Sequence, residues 1–356
     1  MNNTAYSGRI QHRAKKDRES NFELLRIIAM LLVLVVHASF KALDTPSVSD
    51  VINNPLSSFL RFQSESVSII CVNAFILITG WFGINPRALR LCAFYFQVVF
   101  IGISIYLCLF LLGKVEPWGM SEWIRLLLCR RGLWFVGAYI VLYIISPILN
   151  SFVLNTNRKT FRTVLVAFFI IQTIYGFSSR WTFFCSGYSP LSFAGLYLLS
   201  RYIRIYSCKC FSFNKWCDIS IFLCSTLFTS LASMILVGHA GQDAWLLYEY
   251  LSPTVIVGSV YFFLFFSKIS FHSSFINWIA GSAFAVYLFH CDPLIFNEYY
   301  LATIRTYYIN NSSLLFIFHT GILIITMFGL SIIIDRIRQY TWQRLLLKYR
   351  QIHVEK

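Results

Sequence analysis

Residues 20–40 read SNFELLRIIAMLLVLVVHASF, and the run from Leu24 to Phe40 carries only two ionisable side chains, Arg26 and His37. These two lie eleven positions apart, so a helix places them on one face, about 16 Å apart along its axis. An ionisable group at bilayer depth costs at least a few kcal/mol and usually lines a wet cavity or a functional site. The stretch therefore predicts a membrane helix that carries chemistry.

The composition of the whole chain indicates a membrane protein. Of its 356 residues, 57% are hydrophobic, 18% aromatic and 13% charged, a balance that a soluble domain of this size does not need. The first 23 residues are polar and basic and run into Leu24 without a small-residue cleavage pattern. We therefore expect the first apolar segment to be a retained helix and not a signal peptide.

Apolar segments recur along the chain at lengths that suit membrane spans. Taking about 20 apolar residues per span, we predict an all-α fold, a polytopic transmembrane bundle of about ten helices. It forms one domain, residues 24–335, between a basic N-terminal segment, residues 1–23, and a basic tail, residues 336–356. The predicted spans are Leu24–Phe40, Val67–Ile84, Leu91–Gly113, Leu133–Val153, Thr163–Phe177, Leu191–Tyr206, Cys217–Val237, Leu251–Ser267, Phe275–His290 and Ser313–Asp335.

Lysine and arginine are unevenly distributed between the two sides of such a bundle. With the N-terminus in the cytoplasm, 21 of the 30 basic residues fall on the cytoplasmic side and 8 on the outer side, with Arg26 at the inner edge of the first helix. Because basic residues favour the cytoplasmic side, we expect both termini there. Topology then explains the net charge of +15, and no nucleic-acid partner is expected.

The ten cysteines are scattered mainly through apolar runs, without paired C-x-x-C spacing. We therefore interpret them as small hydrophobic residues and expect no metal. The alternative is a metal site at Cys208 and Cys210, which flank Lys209.

Arg26 and His37 suit different chemical roles. A histidine can take or give a proton near neutral pH, whereas an arginine stays protonated and anchors anions. The structural alternatives are a histidine that is hydrogen-bonded to a neighbouring helix and an arginine that extends to the lipid headgroups.

A second basic element, NPRALR at residues 85–90, lies at the predicted cytoplasmic end of the third helix. Asn85 can cap that helix, Pro86 suits its first position, and Arg87 and Arg90 are then neighbours on one face. Cations at a helix N-terminus oppose the macrodipole, so an anion is expected there. A phosphate-bearing ligand or lipid headgroups would each provide it.

Four motifs in order resemble the acyltransferase family 3 integral membrane proteins. The likeness runs from residue 20 to residue 290 and so covers nearly the whole chain. The first motif is SNFELLR, which ends at Arg26 and is followed, after ten residues, by His37. The second is R-x-x-R, Arg87 and Arg90, which comes after GWFG at 80–83. The third runs from LWF at 133–135 through YIISPILN at 143–150, and the fourth is YLFH at 287–290.

The resemblance implies a bacterial inner-membrane O-acyltransferase, with residues 24–335 as its acyltransferase domain. It implies an acyl donor, acetyl-CoA or another acyl-CoA, in the cytoplasm, and an acceptor hydroxyl on a glycan or other molecule at the outer side. Residue by residue, it implies His37 as the catalytic histidine, Arg26 as its essential partner, and Arg87 with Arg90 near the coenzyme A phosphates. A neutral imidazole acting as general base agrees with that assignment.

Other polar residues have open roles. His290 with Asp292 is either an acceptor-side contact or an interfacial structural pair, and the roles of His239 and Glu249 are not assigned. Some larger family members carry a periplasmic hydrolase-like domain after the bundle. The short tail after Asp335 leads us to expect a form without that domain.

The rival interpretation belongs to another functional class. A proton-coupled transporter or flippase would also place a histidine and arginines inside the membrane, with a lipid-linked or anionic substrate in place of an acyl donor. An inactive scaffold fits poorly with a costly charged pair on one helix face. The transferase alone requires an acyl-CoA and leaves an ester on its acceptor, most simply an acetylated surface polysaccharide.

Overall fold

The computed structural model describes residues 18–129, 131–178, 183–206 and 208–354, so residues 1–17 of the predicted basic segment lie outside it. The described residues are helical and contain no strand. The α-helices are α1 Ser20–Ala38, α2 Phe40–Leu43, α3 Val48–Asn53, α4 Pro55–Ser68, α5 Cys71–Phe82, α6 Ala88–Leu111, α7 Met120–Leu127, α8 Trp134–Asn155, α9 Arg158–Ser178, α10 Pro190–Ile205, α11 Lys215–Ala240, α12 Pro253–Ser267, α13 Ser274–Ala280, α14 Ala283–His290, α15 Pro293–Ile295, α16 Ala302–Asn310 and α17 Ser313–Val354.

The predicted all-α membrane bundle is confirmed. By length and hydropathy, seven described helices or helix pairs are able to cross a membrane, and a bent pair, Ser274–His290 with Pro293–Asn310, makes eight when counted as one span. Helices α9 and α10 occupy two further predicted spans, but α10 has only 16 residues and is short for a crossing. The orientation of the termini stays a prediction.

Helix α1 lies at the centre of the bundle and contacts α4, α5, α12, α13, α14 and α17. Because it is surrounded by other helices, its residues Leu25, Ala29 and Leu34 are fully buried. The helix ends one residue after His37, at Ala38, and the chain continues through Ser39 into the single turn of α2. The backbone therefore breaks directly beside the histidine.

The second span starts earlier in the structure than the predicted Val67. A polar helix, α4, leads into α5, and the two together reach from Pro55 to Phe82. Polar side chains on α4 are satisfied by α11: Gln63 Nε2 donates to Thr226 Oγ1 at 3.1 Å, and the Ser66 and Ser230 hydroxyls lie 2.9 Å apart. Interhelical hydrogen bonds of this kind let polar residues lie inside a membrane bundle.

Candidate active site

Three of the predicted site residues line two of the cavities that the described residues form. Arg26 and Arg90 line one cavity of about 290 Å³, which we call the arginine cavity, together with Thr79, Tyr139 and Tyr143. His37 lines another of about 300 Å³, which we call the histidine cavity. Arg87 is exposed and is not among the residues that line either cavity.

Arg26 is held in place within its own helix. Its Nη1 atom lies 2.5 Å from Glu23 Oε1, one turn earlier, and its guanidinium lies 5.9 Å from the centroid of the Phe82 ring. The Glu23 carboxylate is buried, so it fixes the arginine head at the cavity wall. This geometry favours an anchoring role over free extension to the headgroups.

The helix that follows the second basic element is not capped as the sequence suggests. Helix α6 begins at Ala88, with Arg87 as its N-cap residue and without a side-chain cap. The expectation that Asn85 caps the helix and Pro86 begins it is therefore wrong. The Asn85 carbonyl instead accepts a hydrogen bond from Arg90 Nη1 at 3.4 Å, which ties this arginine to the loop at the mouth of the arginine cavity.

Side chains from α8 and α10 hold this loop, which explains part of the YIISPILN motif. The Tyr143 hydroxyl accepts the Arg87 N–H at 2.7 Å and lies 3.1 Å from the Arg87 carbonyl, and Asn150 Nδ2 donates to the Ile84 carbonyl at 2.8 Å. The Tyr197 hydroxyl from α10 accepts the Ile84 N–H at 3.1 Å. The mouth of the arginine cavity is thus fixed by distant segments of the chain.

His37 has a specific partner that sequence reasoning did not assign. Its Nδ1 atom lies 3.0 Å from Nε2 of His290, which is fully buried at the end of α14. The Nδ1 atom of His290 lies 2.6 Å from the backbone carbonyl oxygen of Val286. Because that carbonyl only accepts hydrogen bonds, His290 Nδ1 carries the hydrogen.

This chain of hydrogen bonds fixes the tautomers of both rings. A neutral His290 protonated at Nδ1 offers a lone pair at Nε2, which accepts the hydrogen of His37 Nδ1. His37 then carries its own lone pair at Nε2. Among the described residues, no hydrogen bond to His37 Nε2 is present. The arrangement leaves one basic nitrogen available in the histidine cavity.

Cys291 lies beside the two imidazoles. Its Sγ atom is 3.3 Å from His290 Nε2 and 3.8 Å from His37 Nδ1, and ligand atoms of all three residues lie within 4.8 Å of one another. Two histidines and a cysteine are residue types that bind zinc. The direct imidazole contact, however, uses the lone pair of His290 Nε2 that a metal needs, so the hydrogen-bonded arrangement and a metal site exclude each other.

Asp292, two residues after His290, forms a structural pair rather than joining the cavity. Its oxygens accept two hydrogen bonds from Arg131, at 2.8 and 3.2 Å, and one from the Leu294 N–H at 3.0 Å. The Arg131 guanidinium also lies 4.5 Å from the Trp118 ring centroid. This buried pair ties the turn after His290 to the segment before α8, and neither residue lines the histidine cavity.

We expect that replacing Arg131 with leucine destabilises the protein by roughly 3–5 kcal/mol, because it leaves the buried Asp292 carboxylate without its cation. Thermal unfolding of the detergent-solubilised protein measures the loss. Changing Asp292 to leucine as well removes the unpaired charge and is expected to recover most of the stability. If the double variant is as unstable as Arg131→Leu, the buried charge is not the cause.

Aromatic rings separate the two cavities. Phe94 and Tyr139 line the arginine cavity, and Tyr287 lines the histidine cavity. Phe135 lies between them, with its ring centroid 5.9 Å from that of Tyr139 and 5.7 Å from that of Tyr287. A further ring, Phe284, packs on Phe94 and Tyr287. We call these five residues the aromatic cluster.

Comparison with known proteins bears on what these cavities do. A family model described as an acyltransferase domain matches residues 19–336, which include both cavities and all four predicted site residues. No curated protein and no solved structure matches the chain. The match agrees with the resemblance found in the motifs.

Proposed function

This chain belongs to the acyltransferase 3 family, and from that membership we propose that it is a membrane O-acyltransferase of the bacterial inner membrane. It moves an acyl group, most simply acetyl, from cytoplasmic acyl-CoA to a hydroxyl of a cell-surface carbohydrate. The observation that carries the proposal is the contact between His37 Nδ1 and His290 Nε2, because the tautomers that this contact requires leave a basic nitrogen of His37 in a cavity of the bundle.

The reaction uses that nitrogen as a general base. The acceptor hydroxyl gives its proton to His37 Nε2 while its oxygen bonds to the carbonyl carbon of the thioester. The carbon–sulfur bond then breaks, coenzyme A leaves and takes up the proton as its thiol, and an ester remains on the acceptor. Atoms and charge balance without a metal or another cofactor.

The donor is assigned to the arginine cavity by charge. Coenzyme A carries several phosphate groups, and arginine binds phosphate through two parallel hydrogen bonds. Arg26 and Arg90 line this cavity together, and Arg87 lies at its mouth. We assign Arg90 and Arg87 to the phosphate groups of coenzyme A. We assign Arg26, which lies deeper in the bundle, to another anionic group of the same ligand.

The acceptor is assigned to the histidine cavity. The thioester must then pass the aromatic cluster, so we propose that donor binding displaces the Phe135 and Tyr139 rings and joins the cavities. The excess of basic residues predicted on one side supports the arginine cavity as the cytoplasmic one. Lipid surrounds the bundle, and no nucleic acid takes part.

The test is mass spectrometry of surface carbohydrates from bacterial cells that carry or lack the gene. An ester present only in cells that carry it identifies the acyl group and the acceptor together. Isotope-labelled acetate fed to the cells shows whether that group is acetyl. If no ester appears but a lipid-linked or anionic compound crosses the membrane in a gene-dependent way, the transporter interpretation replaces this one.

We expect Arg90→Ala to raise the KM for acetyl-CoA on the order of tenfold to a hundredfold, with kcat little changed, because a charge-assisted contact to phosphate is lost. Arg87→Ala is expected to have a smaller effect, because Arg87 does not line the cavity. Initial rates at varied acetyl-CoA, measured on solubilised protein, give both constants.

Arg162→Ala on α9 is the matched control, because Arg162 is exposed and lies on neither cavity. It removes one positive charge from the surface predicted to face the same compartment. An equal rise in KM for this control assigns the Arg90 effect to general surface charge, contrary to our assignment.

A further inference from the structure

The histidine cavity contains a carboxyl group that acyl transfer does not use. Glu65 on α4 lines this cavity and is only 2% exposed, and Glu249, 3% exposed, lines it as well. No sequence motif includes Glu65. An ionisable group held inside a membrane bundle is costly and usually marks a substrate or ion pathway.

The protein satisfies the Glu65 carboxyl only in part. Its Oε2 atom accepts the Phe40 N–H at 3.3 Å, and the Ser39 side chain also hydrogen-bonds to it. Among the described residues Glu65 forms no ion pair. A carboxylate has about four lone-pair sites, so capacity remains for hydrogen-bond donors from a molecule in the cavity.

Aromatic rings form another part of the cavity wall. The Tyr188 ring centroid lies 4.5 Å from that of Trp134 and 4.8 Å from that of Tyr250, and all three residues line the cavity. Such rings present apolar faces with polar edges. A ligand that fits this wall and the carboxyl has apolar C–H faces and several hydroxyl donors, which is the chemistry of a sugar ring.

We propose that the histidine cavity binds one sugar ring of the acceptor, with Glu65 accepting hydrogen bonds from its hydroxyls and the aromatic wall packing on its face. This inference rests on the proposed function and deepens it. The Glu65 contact selects the hydroxyl that reaches His37 and so sets the position of the ester.

The cavity size supports a single ring. Ligand cavities range from about 300 to 1,000 Å³, and at about 300 Å³ this cavity lies at the lower end. A polymer therefore enters by one unit, at a chain end or a side branch. Lys41 lines the same cavity beyond the helix break at Ser39 and provides a further donor to the oxygens of that unit.

The test is Glu65→Gln, which preserves side-chain shape and an oxygen for the Phe40 N–H but replaces the other carboxyl oxygen, an acceptor, with an NH₂ donor. The probes are acetyl-CoA and a panel of methyl glycosides: glucoside, galactoside, mannoside and N-acetylglucosaminide. We expect the acceptor KM to rise on the order of tenfold or more, with the acetyl-CoA KM unchanged. Ser64→Ala, the neighbouring position on α4, is the matched control and is expected to leave both KM values unchanged.

A binding measurement without donor gives a second readout. Because Trp134 and Trp245 line the cavity, a bound methyl glycoside is expected to change tryptophan fluorescence in the wild type, with weaker binding in Glu65→Gln. Equal glycoside affinity in the two proteins, or no response of the wild type to any glycoside, overturns the proposal. Gene-dependent carbohydrate ester in cells shows separately whether the proposed function holds, so the two failures are distinguishable.

Discussion

Replacing His37 with alanine is expected to lower the rate of acyl transfer by about 10²–10⁴-fold, which is the usual contribution of a general base. The variant loses the nitrogen that takes the acceptor proton, whereas Arg26 and Arg90 line a separate cavity. We therefore expect the acetyl-CoA KM to stay within about twofold of the wild type, as follows for a group that acts only in the transition state. Steady-state rates and the carbohydrate ester in cells measure the two consequences.

The control for this prediction is another histidine in a membrane helix. His319 on α17 packs against the Tyr307 ring at 5.2 Å between centroids and lines neither cavity. His319→Ala is expected to keep wild-type rates. If His37→Ala still forms the ester at the wild-type level, His37 is not the general base. The chain then remains a member of its family, but the catalytic assignment of His37 is wrong.

The sequence was sufficient to place Arg26 and His37 in relation to one another. Arg26 and His37 lie on one helix, so their separation follows from helical geometry alone. The central position of this helix in the bundle was not predicted and appears only in the structure. The joint position of Arg26 and Arg90 in one cavity depends on the packing of α1 against α5 and on the loop that follows α5.

The sequence could not predict the partners of these residues, because the partners lie in distant parts of the chain. His37 and His290 are 253 positions apart, and no periodicity links them. The Y-L-x-H motif singled out His290, but the sequence left it open as an acceptor contact or a structural residue. The structure shows that the His290 ring is hydrogen-bonded to His37, and that Arg131 is the partner of Asp292.

Glu65 was missed because α4 does not look like a membrane helix. Its segment RFQSES, residues 61–66, is polar, so the predicted span began at Val67. Hydropathy ignores partners on other helices, and here α11 supplies them to Gln63 and Ser66. A polar segment directly before an apolar one is thus where a sequence search for membrane-embedded sites has to look.

The second large effect is expected at His290, which acts through His37 as a positioning residue. His290→Leu removes the acceptor of the His37 Nδ1 hydrogen, so the ring divides between its two tautomers and loses its fixed orientation. Misplacing a catalytic group by about 1 Å costs on the order of 10²-fold, and we expect kcat to fall by about that factor. Both KM values are expected to change little, because His290 does not line either cavity.

His290→Gln separates this role from simple packing. A glutamine carbonyl accepts the same hydrogen, so we expect Gln to recover much of the activity that Leu loses, although neither side chain has an imidazole ring. Nitrogen NMR of labelled histidine reports the tautomer directly: His37 is expected to be protonated at Nδ1 in the wild type and in His290→Gln, and mixed in His290→Leu. If Leu and Gln reduce kcat equally while the His37 tautomer stays fixed, the hydrogen bond does not position the base. Packing around α14 then accounts for the loss, because His290 is enclosed by Tyr300 and Phe296.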